Sequence, residues 1–261
     1  MRRVPCLALV TLGLITAVRS VPAEITPAAQ EVVDRYVEAT GGRAALEAER
    51  GTHAFGRIET IKLKGTIEQW TQTPDKFAVR IRLGSLRLRT GTDGWSGWET
   101  DLASKHVRVL EGKDLERLQS EAWFQNEMWA RDDQGGGRVS YVSTSFGGRR
   151  IFHCLDATPP VGAARRMWFD GKTGLITRMV ARVDQNESVL FYSEYGSFGG
   201  RKRPTLQDGV DQSLAFLYEE APVNADGSRV PGDPEGQAPG RFMAAMCRRI
   251  TPSERTTRPA R

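Results

Sequence analysis

The 261-residue chain is short of the side chains on which most catalytic and metal sites are built. It has three cysteines and three histidines. His53, His106 and His153 stand at no metal-ligand spacing, because no two lie within helical or hairpin distance of one another. His153 and Cys154 are neighbours on a predicted strand, so their side chains leave opposite faces and cannot pair as base and nucleophile. There is no Gly-x-Ser-x-Gly, and Thr92-Asp93-Gly94 has the wrong order for an aspartic-protease triplet. Asp132-Asp133 and Glu219-Glu220 sit in polar runs and read as solvated surface. These absences predict a protein without enzymatic activity, metal or cofactor. Long apolar runs are missing as well, the longest being about fifteen residues from Val4 to Val18, which excludes a multispanning membrane protein. The formal charge of +5 is concentrated at the ends: residues 24–240 carry 28 Lys+Arg against 31 Asp+Glu. A mildly acidic body argues against a nucleic-acid-binding face.

What is present at the N-terminus reads as a secretory signal over residues 1–23. Arg2 and Arg3 precede the apolar run, and Val21-Pro22-Ala23 or Val18-Arg19-Ser20 offers small residues for cleavage. The mature protein is expected to be periplasmic or secreted, with no stable membrane span after processing. An oxidising compartment would permit Cys154 and Cys247 to pair, but Cys247 lies in a stretch with little apolar content, and two independent thiols are expected. Residues 225–261, rich in Gly, Pro and Arg, read as a disordered basic tail. A single domain over residues 24–224 remains.

Within that domain Thr26-Pro27 supplies a helix start, and Ala29, Val33, Tyr36, Val37 and Thr40 recur at helical spacing until Gly41-Gly42. The period becomes two from about Phe55. Ile61, Leu63, Gly65 and Ile67 are expected to share one side of a strand, and Phe77, Val79, Ile81 and Leu83 one side of the next, after the turn Thr73-Pro74-Asp75. Leu86 and Leu88 alternate with Arg87 and Arg89, the turn Gly91 to Gly94 leads into a strand from Trp95 to Asp101, and Val107 and Val109 continue the sheet. A helix over residues 111–131 interrupts it: Leu115, Leu118, Ala122 and Trp129 form one stripe, with Trp123, Phe124 and Met128 beside it. Strands resume at 139–146, 149–156, 165–169, 175–183, 188–195 and 212–218. Ser145-Phe146-Gly147-Gly148-Arg149-Arg150 nearly recurs as Ser197-Phe198-Gly199-Gly200-Arg201-Lys202. Neither copy follows a strand and opens a helix, so both predict hairpin turns rather than a phosphate loop.

Six Trp, ten Phe and five Tyr accompany a sheet with one apolar face. Either helices alone cover that face and close an ordinary core, which composition favours, or helices and an apolar ligand cover it together. Several segments carry a resemblance. Tyr36-Val37-Glu38-Ala39-Thr40-Gly41-Gly42-Arg43-Ala44-Ala45-Leu46 resembles the opening helix of the lipoprotein-carrier (LolA-like) superfamily of exported bacterial proteins. Gly65-Thr66 to Trp70, Pro74-Asp75-Lys76-Phe77, Gly91 to Trp98, Trp168-Phe169-Asp170 with Thr173-Gly174-Leu175, and Tyr192 to Tyr195 ahead of Gly200 and Pro204 resemble its strands. The nearest likeness is to the module that precedes the protease domain in some aspartyl-protease-family proteins, although no protease domain is expected after Asn224. The resemblance implies a mainly β fold with covering helices, an open antiparallel half-barrel. It also implies non-catalytic binding of a lipid or a lipoprotein acyl chain, or, as the alternative, an envelope protein-interaction module with a filled core and no ligand. The expected ligand-facing residues are Phe77, Val79, Ile81, Leu86, Leu88 and Val109 of the sheet and Trp123, Phe124 and Trp129 of the helix above it.

Overall fold

The computed structural model describes residues 24–100, 106–183, 186–209 and 212–218. The expected leader, Cys247 and the basic tail lie outside the described residues. A two-residue strand, β1 (Glu24–Ile25), leads into α1 (Pro27–Ala39), which begins where Pro27 pre-sets a helical φ and ends at Gly41 and Gly42, both at positive φ. After α2 (Arg43–Ala48) comes a meander of β2 (Gly51–Thr60), β3 (Lys64–Gln72), β4 (Lys76–Leu83), β5 (Leu86–Thr92), β6 (Gly97–Thr100) and β7 (Val107–Leu110). Helix α3 (Gly112–Gln125), followed by a 3-10 turn at Met128–Ala130, interrupts the sheet. A second meander follows: β8 (Arg138–Gly147), β9 (Arg150–Thr158), β10 (Arg165–Asp170), β11 (Ile176–Val183), β12 (Asn186–Phe198), β13 (Arg201–Gly209) and β14 (Gln212–Tyr218).

The two meanders form one ladder in the order β1-β8-β9-β10-β11-β12-β13-β14-β2-β3-β4-β5-β6-β7. Only β1 with β8 is parallel. The join is β14 on β2, with Tyr218 opposite Ala54 and Gln212 opposite Thr60. Among the described residues the end strands β1 and β7 do not pair, so the sheet is an open half-barrel with covering helices.

Helix α3 lies inside the curl as a wedge. Leu115, Leu118 and Ala122 pack against Ala54, Ile58, Ile67, Phe77 and Val79 of the first meander. Trp123 and Phe124, one helical step round, join Met128 and Trp129 with Val33, Tyr36 and Val37 of α1 over Val139, Leu155, Met167 and Phe169 of the second. Leu115, Leu118 and Ala122 of one expected stripe thus serve one apolar cluster and Trp123, Phe124 and Met128 of the other serve the second, whereas Trp129, expected with the first stripe, lies in the 3-10 turn beyond α3 and packs in the second.

Several boundaries differ from expectation. β2 begins at Gly51 rather than near Phe55, and Ile61 and Leu63 sit at the β2–β3 hairpin tip, exposed, instead of sharing a strand face with Gly65 and Ile67. The strand after the Gly91 turn begins at Gly97, because Asp93 Oδ1 accepts the backbone N–H groups of Trp95 (3.0 Å) and Ser96 (2.8 Å) and holds them in the turn. β13 falls where the sequence reading placed no strand: Arg201 and Arg203 alternate inward across exposed Lys202, and Pro204 stands opposite Tyr195. Both Gly-Gly hexapeptides form the expected hairpin turns, β8–β9 and β12–β13.

Candidate functional site

Polar ties fix the wedge in place. Gln69 Nε2 donates to Gln125 Oε1 (2.8 Å), Asn126 Nδ2 to the Lys76 carbonyl (3.0 Å), and Arg165 pairs with Glu121 while its guanidinium carbon lies 4.2 Å from the Phe124 ring centre. Burial pushes the Glu121 carboxyl up, but Arg165 and the Gln125 hydrogen bond outweigh it and leave it below its ordinary range. Just beyond α3, Glu127 adopts a left-handed backbone (φ 51°) that aims its carboxylate inward. It accepts from Tyr36 Oη (2.7 Å) and Arg201 Nη2 (2.6 Å) and lies 3.8 Å from Arg203 Nη1, while Arg203 Nη2 pairs with Glu49. Burial disfavours its charge, yet Arg201, Arg203 and the tyrosine hydroxyl prevail and lower its pKa to about 2. The α1 motif docks on the same cluster: Thr40 Oγ1 accepts from Arg201 (3.3 Å), the Thr40 carbonyl accepts from Lys202 N (2.9 Å), and a Cβ on Gly41 would lie 2.4 Å from the Gly200 oxygen. A buried polar cluster therefore lies between the meanders beside the two apolar ones. A cavity there of about 70 Å³ is lined by Gln125, Glu127, Arg165, Arg203 and Gln207 among others.

The apolar opening lies elsewhere, at the end of the half-barrel where the β3–β4 turn, the β5–β6 turn and the β9–β10 loop converge on α3. It is a groove of about 250 Å³ lined by Pro74, Asp75, Gly94, Gln119, Trp123, Met128, Gly135, Pro159, Pro160 and Val161. Its walls are hydrogen-bonded in place. Gln119 Nε2 donates to the Gly94 carbonyl (2.8 Å) and Trp123 Nε1 to the Gln134 carbonyl (3.0 Å), so the indole ring forms a wall without a buried unsatisfied N–H. Gly94 and Gly135 of the lining sit at positive φ. Trp95, next to Gly94 in the chain, is 87% exposed. The one carboxyl in the lining, Asp75, is pushed above its ordinary pKa by burial, with Asp93 adding to the effect.

The nine expected ligand-facing residues do not share one surface. Phe77 and Val79 are buried against α3, with Ile81 packed partly beside them. Trp123, Phe124 and Trp129 are buried in the other cluster. Leu88 and Val109 are only half-buried, and Leu86 is 42% exposed at the β4–β5 tip. Trp123 alone of the nine lines the groove. Pro74 reads only as turn chemistry, and Pro159, Pro160, Glu127 and Arg203 carry no signal in the sequence reading; Arg201 is 1% exposed, a burial that only its distant acid explains. Among the described residues no three His, Cys, Asp or Glu side chains gather as a metal-holding group.

No protein-family model matches the chain, and no curated protein does. Solved structures do. The LolA superfamily protein NE2245 from Nitrosomonas europaea matches over 72% of this chain and 91% of its own, with a TM-score of 0.50 and 11% identity. The fold is LolA-like. A DUF1329 family protein from Desulfovibrio piger (TM-score 0.48, 12% identity, 74% of this chain and 93% of its own) and an outer membrane lipoprotein-sorting protein domain from Vibrio parahaemolyticus (0.45, 9%, 73% and 90%) also match. At such identities a LolA-like fold carries no residue's role with it. Nothing in these matches bears on the aspartyl-protease module that the sequence resembles. No helix among the described residues is long and apolar enough to cross a membrane.

Proposed function

We propose that this protein is an exported, non-catalytic binding protein of the bacterial cell envelope that takes the apolar part of a lipid or lipidated molecule into the groove at the end of α3. The observation that carries the reading is the groove's lining: three prolines, Trp123, Met128 and Val161 around a single carboxyl whose charge burial disfavours. Its volume of about 250 Å³ exceeds the ~150 Å³ cavity that accepts benzene. It falls below the ~300–1,000 Å³ of whole-ligand pockets, so it suits one stretch of an acyl chain with the remainder along the rim. The LolA-like fold is compatible with this reading.

One observation favours the alternative of a protein-interaction module. The concave face expected to hold the ligand is occupied by α3, with filled apolar clusters on both sides of it. The two readings separate on one experiment. Val161, an exposed wall of the groove, changed to glutamate places a charge in the groove without opening a core. If the groove holds lipid, a fluorescent fatty acid binds the wild type, Val161→Glu abolishes binding at an unchanged unfolding midpoint, and native mass spectrometry finds lipid on the wild type alone. No binding by the wild type, or equal binding by both, would move the assignment to the interaction module.

A further inference from the structure

The face of β2–β5 that turns away from α3 gathers charge of one sign. Arg57, Thr66, Arg82 and Arg87 stand opposite one another in a single cross-strand row, and Phe55, Glu68, Arg80 and Arg89 form the next. Arg82 against Arg87 and Arg80 against Arg89 are like-charge cross-strand pairs, which weaken a sheet. Residues 57–66 and 80–89 hold seven Lys and Arg against one acid, Glu59, which pairs with Lys64 at 2.7 Å. Glu68 answers Arg80 at 2.7 Å. The acidic balance of the whole body conceals this segregation.

The same end presents apolar side chains to water. The β2–β3 tip reads Ile61-Lys62-Leu63-Lys64, with Ile61 79% exposed, and the β4–β5 tip adds exposed Leu86. The tips adjoin: Leu63 Cδ2 lies 3.4 Å from where a side chain on Gly84 would begin. Arg87 Nη1 donates to the Gly84 (2.6 Å) and Leu86 (2.8 Å) carbonyls and so braces the second tip.

We infer that this end is a docking surface for an anionic phospholipid bilayer. Ile61, Leu63 and Leu86 enter the headgroup region while Lys62, Lys64 and Arg82 meet lipid phosphates. Charge complementarity selects an anionic surface, and the exposed tip selects a bilayer over a soluble polyanion, which offers Ile61 no apolar medium. The groove lies at the opposite end of the same hairpins, beside the β3–β4 and β5–β6 turns, so a docked protein presents the groove away from the bilayer. The inference therefore stands independently of what the groove holds.

The test is flotation of the full chain with phosphatidylcholine vesicles made with and without phosphatidylglycerol. Binding is expected only with phosphatidylglycerol and should weaken as salt rises. The Lys62→Ala/Lys64→Ala double variant should bind about 30-fold more weakly, from roughly one unit of surface attraction per cation. Ile61→Ser/Leu86→Ser should reduce binding at unchanged salt sensitivity, and Val161→Glu should leave it intact. These side chains are exposed, so the unfolding midpoints should not move. Equal binding to both vesicle types, no binding, or undiminished binding by Ile61→Ser/Leu86→Ser would overturn the inference, the last by assigning the surface to a soluble polyanion.

Discussion

Replacing Glu127 with glutamine removes one charge from a cluster that joins α1, α3 and β13. The amide keeps the side chain's size and the left-handed backbone at this position, so the change isolates the carboxylate. Arg201 and Arg203 would then be left buried with Glu49 as their remaining nearby acid. Breaking a buried pair in this way costs about 3–5 kcal/mol. Linkage gives a second route to the number. A carboxyl lowered from 4.5 to about 2 contributes roughly 3 kcal/mol near neutral pH. Because the folded value is depressed, that contribution is complete above the unfolded pKa and is lost as pH falls toward 2; about 2 kcal/mol of it is gone by pH 3. Urea unfolding of wild type and Glu127→Gln at pH 7 and pH 3 reads both quantities. A gap near 3 kcal/mol at pH 7 that narrows on acidification is expected. A gap below about 1 kcal/mol, or one of equal size at both pH values, would refute the view that the carboxylate neutralises buried arginines.

Trp129→Ala and Phe77→Ala should each cost about 3–5 kcal/mol in urea unfolding, since both side chains are buried in filled clusters, and a much smaller loss at Phe77 would point to space beside α3. Gly41→Ala should destabilise by about 1–3 kcal/mol, because φ is 125° there and the new Cβ meets the Gly200 oxygen; an unchanged midpoint would show that the α1–α2 corner does not hold the β12–β13 turn. Burial pushes the Cys154 thiol up, so the reactivity lost in Cys154→Ser should appear in the wild type only after denaturation, as timed by a thiol reagent, and fast reaction of the native thiol would contradict its placement.

What could be read from the sequence was local. Thr26-Pro27 and Gly41-Gly42 bracket α1 because a helix start and stop are set by the residues that form them. The Gly-Gly hexapeptides foretold hairpins because positive φ is a property of single residues: Gly148, Gly199 and Gly200 adopt it. β13 was hidden because Arg201 and Arg203 are inward-facing only by virtue of Glu127, which lies 74 residues from Arg201 in the chain. The residues expected on one ligand face are spread over several surfaces for a related reason. Alternation in β4 correctly puts Phe77, Val79 and Ile81 on one side, and periodicity separates Leu115, Leu118 and Ala122 from Trp123 and Phe124 on α3, though it places Trp129 with the wrong stripe. Neither pattern says that the helix would stand between the meanders and face each with a different stripe. The groove, built from three separate turns, leaves no periodic signature.

The wedge also sets a threshold on what the concave face could accept. Lifting α3 would expose Leu118, Ala122, Trp123 and Phe124 and break the ties to Gln69, Lys76 and Arg165. At about 1.5–3 kcal/mol for each large apolar side chain, the apolar part of that cost is roughly 5–9 kcal/mol. A ligand gains about 0.8 kcal/mol for each methylene it buries, so some 6–11 methylenes would offset the apolar exposure alone. The polar ties raise the requirement further, since Gln69, the Lys76 carbonyl and Arg165 would each need a new partner. A short apolar group therefore has no means of displacing the helix. A long acyl chain has enough methylenes to compete with it. The filled core and the carrier reading are thus compatible for one class of ligand, the long-chain lipids, and the groove beside Trp123 is where such a chain would first touch the helix.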